Sequence, residues 1–146
     1  MTFDHDRFMK LALEAENVPV GSVMVKDGHV IGKGRNQVNS HSDPTAHAET
    51  VAIRDACANL QTPDLSGSTC YTVMEPCPMC CWAILEAGIS GLVLGARHAE
   101  MKRADYGDYA VEKLLLMTRR KLEIVTGVMV ADCEAMRRSW KGWVDP

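Results

Sequence analysis

The chain has 146 residues, 47% of them hydrophobic, and a formal charge of −3 from 16 Lys and Arg against 19 Asp and Glu. That is enough chain to bury one sizeable core and too little for two, so a single domain spanning residues 1–146 is expected. The lack of a basic surplus disfavours extended nucleic-acid contacts, the acidic opening MTFDHDRFMK is unlike a secretory leader, and no apolar run reaches membrane-spanning length, so a cytoplasmic protein with no membrane partner is expected.

Phe8, Leu11, Ala12 and Ala15 recur at three- and four-residue intervals and predict an opening amphipathic helix that stops before Val18-Pro19. Val20 to Val25 and Val30 to Lys33 are β-prone runs joined through Asp27-Gly28, a pair that tolerates the positive φ of a tight hairpin. After a polar, aperiodic stretch, Asp43-Pro44 reads as an N-cap followed by proline at the first helical position, opening a helix that runs to about Asn59. Pro63 to Ser68 reads as a loop and Thr69 to Met74 as a half-buried strand that delivers the chain to Glu75-Pro76-Cys77. A third helix carries Met79, Ala83, Ile84 and Ala87 toward the core and ends at Gly88, and Ile89 to Leu94 returns as a strand, which makes a parallel crossover. Residues 98–108 are irregular, Val111 to Met117 is helical, Leu122 to Val130 is strand-like, and Ala131 to Trp140 closes as a helix. The hairpin together with the crossover predicts a mixed sheet of about five strands with helices on both faces, a three-layer α/β/α sandwich.

Two short segments carry the chemistry: Thr45-Ala46-His47-Ala48-Glu49 and Pro76-Cys77-Pro78-Met79-Cys80, each near a predicted helix start. Cys77 and Cys80 stand three apart, so both sulfurs face one side of a helical turn, where the helix dipole favours the thiolate that zinc requires. His47 completes a set of three protein ligands that leaves a position for water, the arrangement of catalytic rather than structural zinc. Zinc lowers the pKa of such a water and makes it a nucleophile for the carbon bearing an amino group. The amine leaves only with a proton, and Glu49 is the carboxyl group placed to move it from water to ring nitrogen and leaving group. Because residues two apart on a regular helix diverge by about 200°, His47 and Glu49 cannot share a face, and the site must lie off the helix end.

Other readings of these residues exist. A redox Cys-x-x-Cys leaves His47 and Glu49 without a purpose. A structural zinc site needs a fourth protein ligand, and Cys81, beside Cys80, diverges from it by about 100° on a helix. Cys81, Cys57, Cys70 and Cys133 are expected to be small buried hydrophobes. His5 and His29 are expected in solvent, His41 and His98 in polar loops, and the clusters Arg119-Arg120-Lys121 and Arg137-Arg138 on solvated faces.

The H-x-E and P-C-x-x-C pattern resembles the cytidine deaminase-like zinc deaminases. Val18-Pro19-Val20-Gly21, Asp43 to Glu49 and Glu75 to Cys80 are similar to the branch that contains guanine deaminases, small cytosine deaminases and tRNA adenosine deaminases. The resemblance runs from the first helix to about residue 135 and implies a five-stranded sheet flanked by helices, assembled as a homodimer. It implies zinc on His47, Cys77 and Cys80, Glu49 as proton shuttle, and substrate contacts from Asn36 and the backbone N–H of Ala48. An asparagine amide can donate to a ring carbonyl and accept from an N–H, although a turn asparagine holding its own loop is the alternative.

After Gly95-Ala96-Arg97 the chain departs from the tRNA-acting enzymes and carries Ala104-Asp105-Tyr106-Gly107-Asp108-Tyr109. Its tyrosines and aspartates, Tyr106 and Asp108 among them, can stack on a ring and accept from its amino groups, as similarly placed aromatics do in free-base deaminases; a surface turn with a packed Tyr106 is the equal alternative. Its ending, Trp140 to Pro146, resembles the aromatic-then-acidic tail of small cytosine deaminases, which implies Trp143 and Asp145 as a lid over substrate. The expected function is hydrolytic deamination of a free nucleobase such as cytosine or guanine, or a related amino-heterocycle, with water as cosubstrate. A tRNA-specific adenosine deaminase is the second reading, and a noncatalytic zinc-stabilised domain the third.

Overall fold

A computed structural model describes residues 4–14 and 21–140. Asp4 accepts a hydrogen bond from the Arg7 N–H and caps α1 (His5–Leu13), which buries Phe8, Met9 and Ala12. Ala15, Val18 and Pro19, where the predicted helix was to end, lie outside the described residues. Strands β1 (Gly21–Lys26) and β2 (His29–Arg35) pair antiparallel through the turn Asp27-Gly28, both at positive φ as the pair predicts.

Helix α2 spans Ala48–Leu60, β3 Ser68–Met74, α3 Pro78–Glu86 and β4 Gly91–Ala96; α4 (Val111–Thr118), β5 (Glu123–Val125) and α5 (Val130–Arg138) complete the chain. The sheet order is β2-β1-β3-β4-β5, with β1 antiparallel to β2 and β3, and β4 parallel to β3 and β5. Strand β3, helix α3 and strand β4 form the expected crossover. One core lies where α1 and α5 cover the sheet around Tyr71, Val73 and Val93; the other lies beneath α2, α3 and α4 around Met24, Ile84 and Leu92. This is the expected three-layer sandwich.

Several expectations are corrected. Asp43 does not cap α2: its carboxylate accepts from the N–H and the hydroxyl of Thr45, at 2.9 and 2.7 Å, and closes a local turn. The chain therefore stays extended through His47 (φ −68, ψ 157), which becomes the cap position, and α2 begins at Ala48. Met79 is exposed, because α3 turns Cys80, Cys81, Ile84 and Leu85 inward instead. The last strand is shorter than its β-prone run, since Gly127 (φ 81) and Met129 (φ 49) bend the backbone out of the extended form. Cys70, Cys81 and Cys133 are buried as expected, whereas Cys57 is only half-buried.

Candidate active site

Strands β2, β3 and β4 run in one direction, so Asn36, Glu75 and Arg97 leave the sheet at the same edge, where sites gather in open α/β sheets. The first turns of α2 and α3 point there as well. Glycine permits the close seating of α2 on β2: a Cβ on Gly34 would meet Ala52 N at 2.5 Å, and one on Gly32 would meet Ala56 N at 2.6 Å. Ala48 and Ala52 are thus fixed against the strand that ends at Arg35, just before Asn36.

His47, at the cap position of α2, meets Cys77, at the cap position of α3, with Nδ1 and Sγ 3.5 Å apart. The Cys80 N–H donates to the Cys77 sulfur at 3.4 Å. Ligand atoms of His47, Cys77 and Cys80 all lie within 4.8 Å of one another. The Cys80 thiol, the His47 ring and the Cys80 amide hold the Cys77 thiol far below its usual pKa, against the opposing effect of burial. Cys80 is pushed the other way by the Cys77 sulfur and by burial. The Cys77 interaction raises the His47 pKa. Two sulfurs and an imidazole gathered in this way are a soft, partly anionic donor set, and they fit zinc.

Glu49 is 3% exposed and lines the same cavity as His47, which the extended cap conformation keeps off the helix proper. The Thr72 hydroxyl donates to its Oε1 at 2.8 Å. Burial raises the carboxyl pKa, a change that the Thr72 bond partly offsets.

A cavity of about 160 Å³ opens beside this cluster. Asn36, His47, Ala48 and Glu49 line it from the β2 and α2 side; Cys77, His98, Arg103 and Tyr106 line it from the α3 and β4 side. Met74, Glu75, Arg137 and Trp140 complete the wall. The Asn36 Oδ1 accepts from the Val38 N–H at 3.0 Å and holds its own loop, the turn role open to it, and the residue is part of the cavity wall. Asp108 is not brought to the site. It sits exposed in the turn around Gly107 (φ 60), where its carbonyl accepts from Lys113 Nζ. Trp143 and Asp145 lie outside the described residues.

Several further residues at and around this site are fixed by contacts between segments distant in sequence, which no local motif marks. Glu75 accepts from the backbone N–H groups of His98 and Val111 at 3.0 and 2.9 Å and from the Arg97 guanidinium, which also pairs with Glu112. His98, expected in a polar loop, is buried, and burial pushes its imidazole pKa down. Arg137, expected in solvent, is buried with its guanidinium 4.6 Å from the Trp140 ring centroid. His5 is half-buried, its Nδ1 2.9 Å from the Tyr71 hydroxyl. The signal for His98 was its place just past the end of β4, since strand ends carry the sites of such sheets.

The family model of the cytidine and deoxycytidylate deaminase zinc-binding region matches residues 4–96. The chain is 35% identical over 134 residues to a tRNA-specific adenosine deaminase of Buchnera aphidicola, covering 86% of each protein. It is 41% identical over 118 residues to a guanine deaminase of Bacillus subtilis, covering 75% of this chain and 76% of that one. In three dimensions it is similar to a protein solved in complex with 2,6-diaminopurine, with a TM-score of 0.82 and 25% identity over 99% of this chain and 86% of that chain. The matched segment contains the histidine, both cysteines and the buried glutamate, and the chain accordingly belongs to the cytidine and deoxycytidylate deaminase family, as a zinc-dependent enzyme that cleaves a C–N bond with water.

Proposed function

We propose that the substrate is a free nucleobase, or a related amino-heterocycle, whose exocyclic amine is replaced by oxygen with release of ammonia. The observation that carries this reading is the cavity: about 160 Å³, polar at Glu49 and Asn36 and aromatic at Tyr106 and Trp140. That is well below the roughly 300–1,000 Å³ of pockets for drug-sized ligands, and it suits a single heterocycle. The similarity to a guanine deaminase and to a protein that binds 2,6-diaminopurine supports it.

In this reading His47, Cys77 and Cys80 hold the zinc, which supplies an acidified water when bound. Glu49 takes a proton from the attacking water and delivers it to the ring nitrogen, then carries the proton of the newly bound hydroxyl to the departing amine, which leaves a carbonyl and ammonia. Its buried position suits the task, because burial raises the carboxyl pKa and so favours the protonated form that holds the proton between the two transfers. Thr72 fixes the rotamer by occupying Oε1. The Asn36 amide and the Ala48 N–H orient the base, and Tyr106 packs on its ring.

Deamination of adenosine in tRNA is the second reading, favoured by the 35% identity to a tRNA-specific adenosine deaminase. A flipped-out base would enter the same cavity while the RNA backbone stayed outside. Against it stands the charge: the chain is net acidic, and Arg103, at the cavity, is already paired with Asp105. The protein acts in the cytoplasm as a single-domain homodimer in our reading; no described helix is long and apolar enough to cross a membrane. Met79 and Trp82 of α3 and Leu116 and Met117 of α4 are exposed apolar side chains available for a second copy.

The test is ammonia release from cytosine, guanine, adenine, their nucleosides and a tRNA anticodon stem-loop, by the zinc-loaded protein and its Glu49→Gln variant. Release from a free base is expected, falling about 10²–10⁴-fold in the variant while zinc is retained. Release from the stem-loop alone would overturn the free-base reading, and equal function of the variant would overturn the enzyme mechanism.

A further inference from the structure

His98 is 6% exposed, yet neither Nδ1 nor Nε2 has a hydrogen-bond partner among the described residues. A buried polar group left unpaired is costly, so an orphaned imidazole at a cavity wall marks a place where a partner arrives. The ring is held where it stands. Its backbone N–H is anchored to Glu75 Oε1, the Tyr106 ring lies edge-on with centroids 5.2 Å apart, and the Tyr109 ring lies 6.0 Å away. Tyr109 is fixed in turn by its hydroxyl, which donates to the Pro76 carbonyl at 2.7 Å.

The topology gives the ring its bearing. His98 follows β4 and Asn36 follows β2, and β1 and β3 lie between those strands. Three strand spacings of about 4.8 Å set the two residues on opposite flanks of the site, about 14 Å apart at the backbone. A heterocycle in the cavity therefore has one edge toward the β2 flank and another toward the β4 flank. We propose that His98 binds the edge facing β4, and that the substrate is consequently an amino-heterocycle carrying a ring carbonyl in addition to the amine that is lost. This deepens the free-base reading above and rests on it. An imidazole can meet a carbonyl oxygen through a ring N–H, and a heterocycle without that oxygen leaves the imidazole unpaired.

The experiment uses two pairs of probes that differ by the ring oxygen: guanine with 2-aminopurine, and cytosine with 4-aminopyrimidine. Binding to the zinc-loaded full-length Glu49→Gln protein is measured by calorimetry, with His98 intact, His98→Phe or His98→Gln. Zinc content and melting temperature are recorded for each. His98→Phe is expected to weaken the oxo base about tenfold or more while leaving its oxygen-free counterpart within about threefold, and His98→Gln, which keeps a donor, is expected to recover part of the loss. If the parent binds guanine or cytosine and His98→Phe weakens both members of the pair equally, or neither, the assignment of His98 is wrong while the free-base reading stands. If the parent binds none of the four bases, the free-base reading fails and this inference falls with it. Should His98→Phe lose zinc or fold, the comparison is made with His98→Gln, for which equal loss of both probes is again the overturning result.

Discussion

Gly34→Ala tests whether the seating of α2 on β2 holds the site together. An alanine Cβ would collide with the Ala48 carbonyl oxygen and lie 2.5 Å from Ala52 N and 3.1 Å from Ala52 Cα. These are backbone atoms in the first turns of α2, so no side chain can swing aside; strand and helix must part. Overpacking of a tight interior costs about 1–3 kcal/mol, and rigid neighbours place this substitution near ~3 kcal/mol. For a chain of this length that lowers Tm by about 10 °C. The displaced residue lies between His47 and Glu49, and a shift on the order of 1 Å in a reacting group costs about 10²-fold in rate. Calorimetric melting and ammonia release per bound zinc measure both effects. Gly28→Ala is the control: Gly28 has φ +76 with nothing within 4 Å, so backbone strain of about 1–2 kcal/mol appears without loss of turnover. A Gly34→Ala protein that melted within about 2 °C of the parent with full turnover would refute the argument.

Thr72→Val keeps the shape of the side chain and removes the donor to Glu49 Oε1, so stability measured by urea unfolding should fall by about 1–3 kcal/mol, and kcat should fall more than KM changes. Glu75→Gln weakens the partner of the Arg97 guanidinium inside a buried network, and guanidinium unfolding should show a loss of about 3 kcal/mol or more. Chelating the zinc should abolish turnover and lower Tm, both restored by added zinc. At a free zinc concentration of about 100 times Kd, the stabilisation lost is about 2.7 kcal/mol, readable as a zinc-dependent melting shift.

Periodicity placed the helices and strands because the buried faces of α1 and β3 follow from which residues are apolar. It failed at Asp43, where two local bonds to Thr45 outcompete a helix start that the same residue could also have capped. It failed at Thr126 to Val130 because β propensity cannot see a glycine at positive φ. Within the site, His47, Glu49, Cys77 and Cys80 were legible because their chemistry dictates residue types at fixed spacing. Thr72, Glu75 and His98 were not, since each serves through a contact between segments distant in sequence: Thr72 meets Glu49 across two elements, and Glu75 meets Val111 from the far side of α3 and β4. Asp108 shows the converse, a polar residue beside an aromatic one that the turn points outward.

Glu75 also fastens both ends of the segment that walls the cavity, since it accepts from the N–H of His98 where the segment leaves the sheet and from the N–H of Val111 where α4 begins. One carboxylate thereby ties the start and the end of the stretch to the residue two before Cys77, so both of its junctions keep a fixed position relative to the cysteine pair.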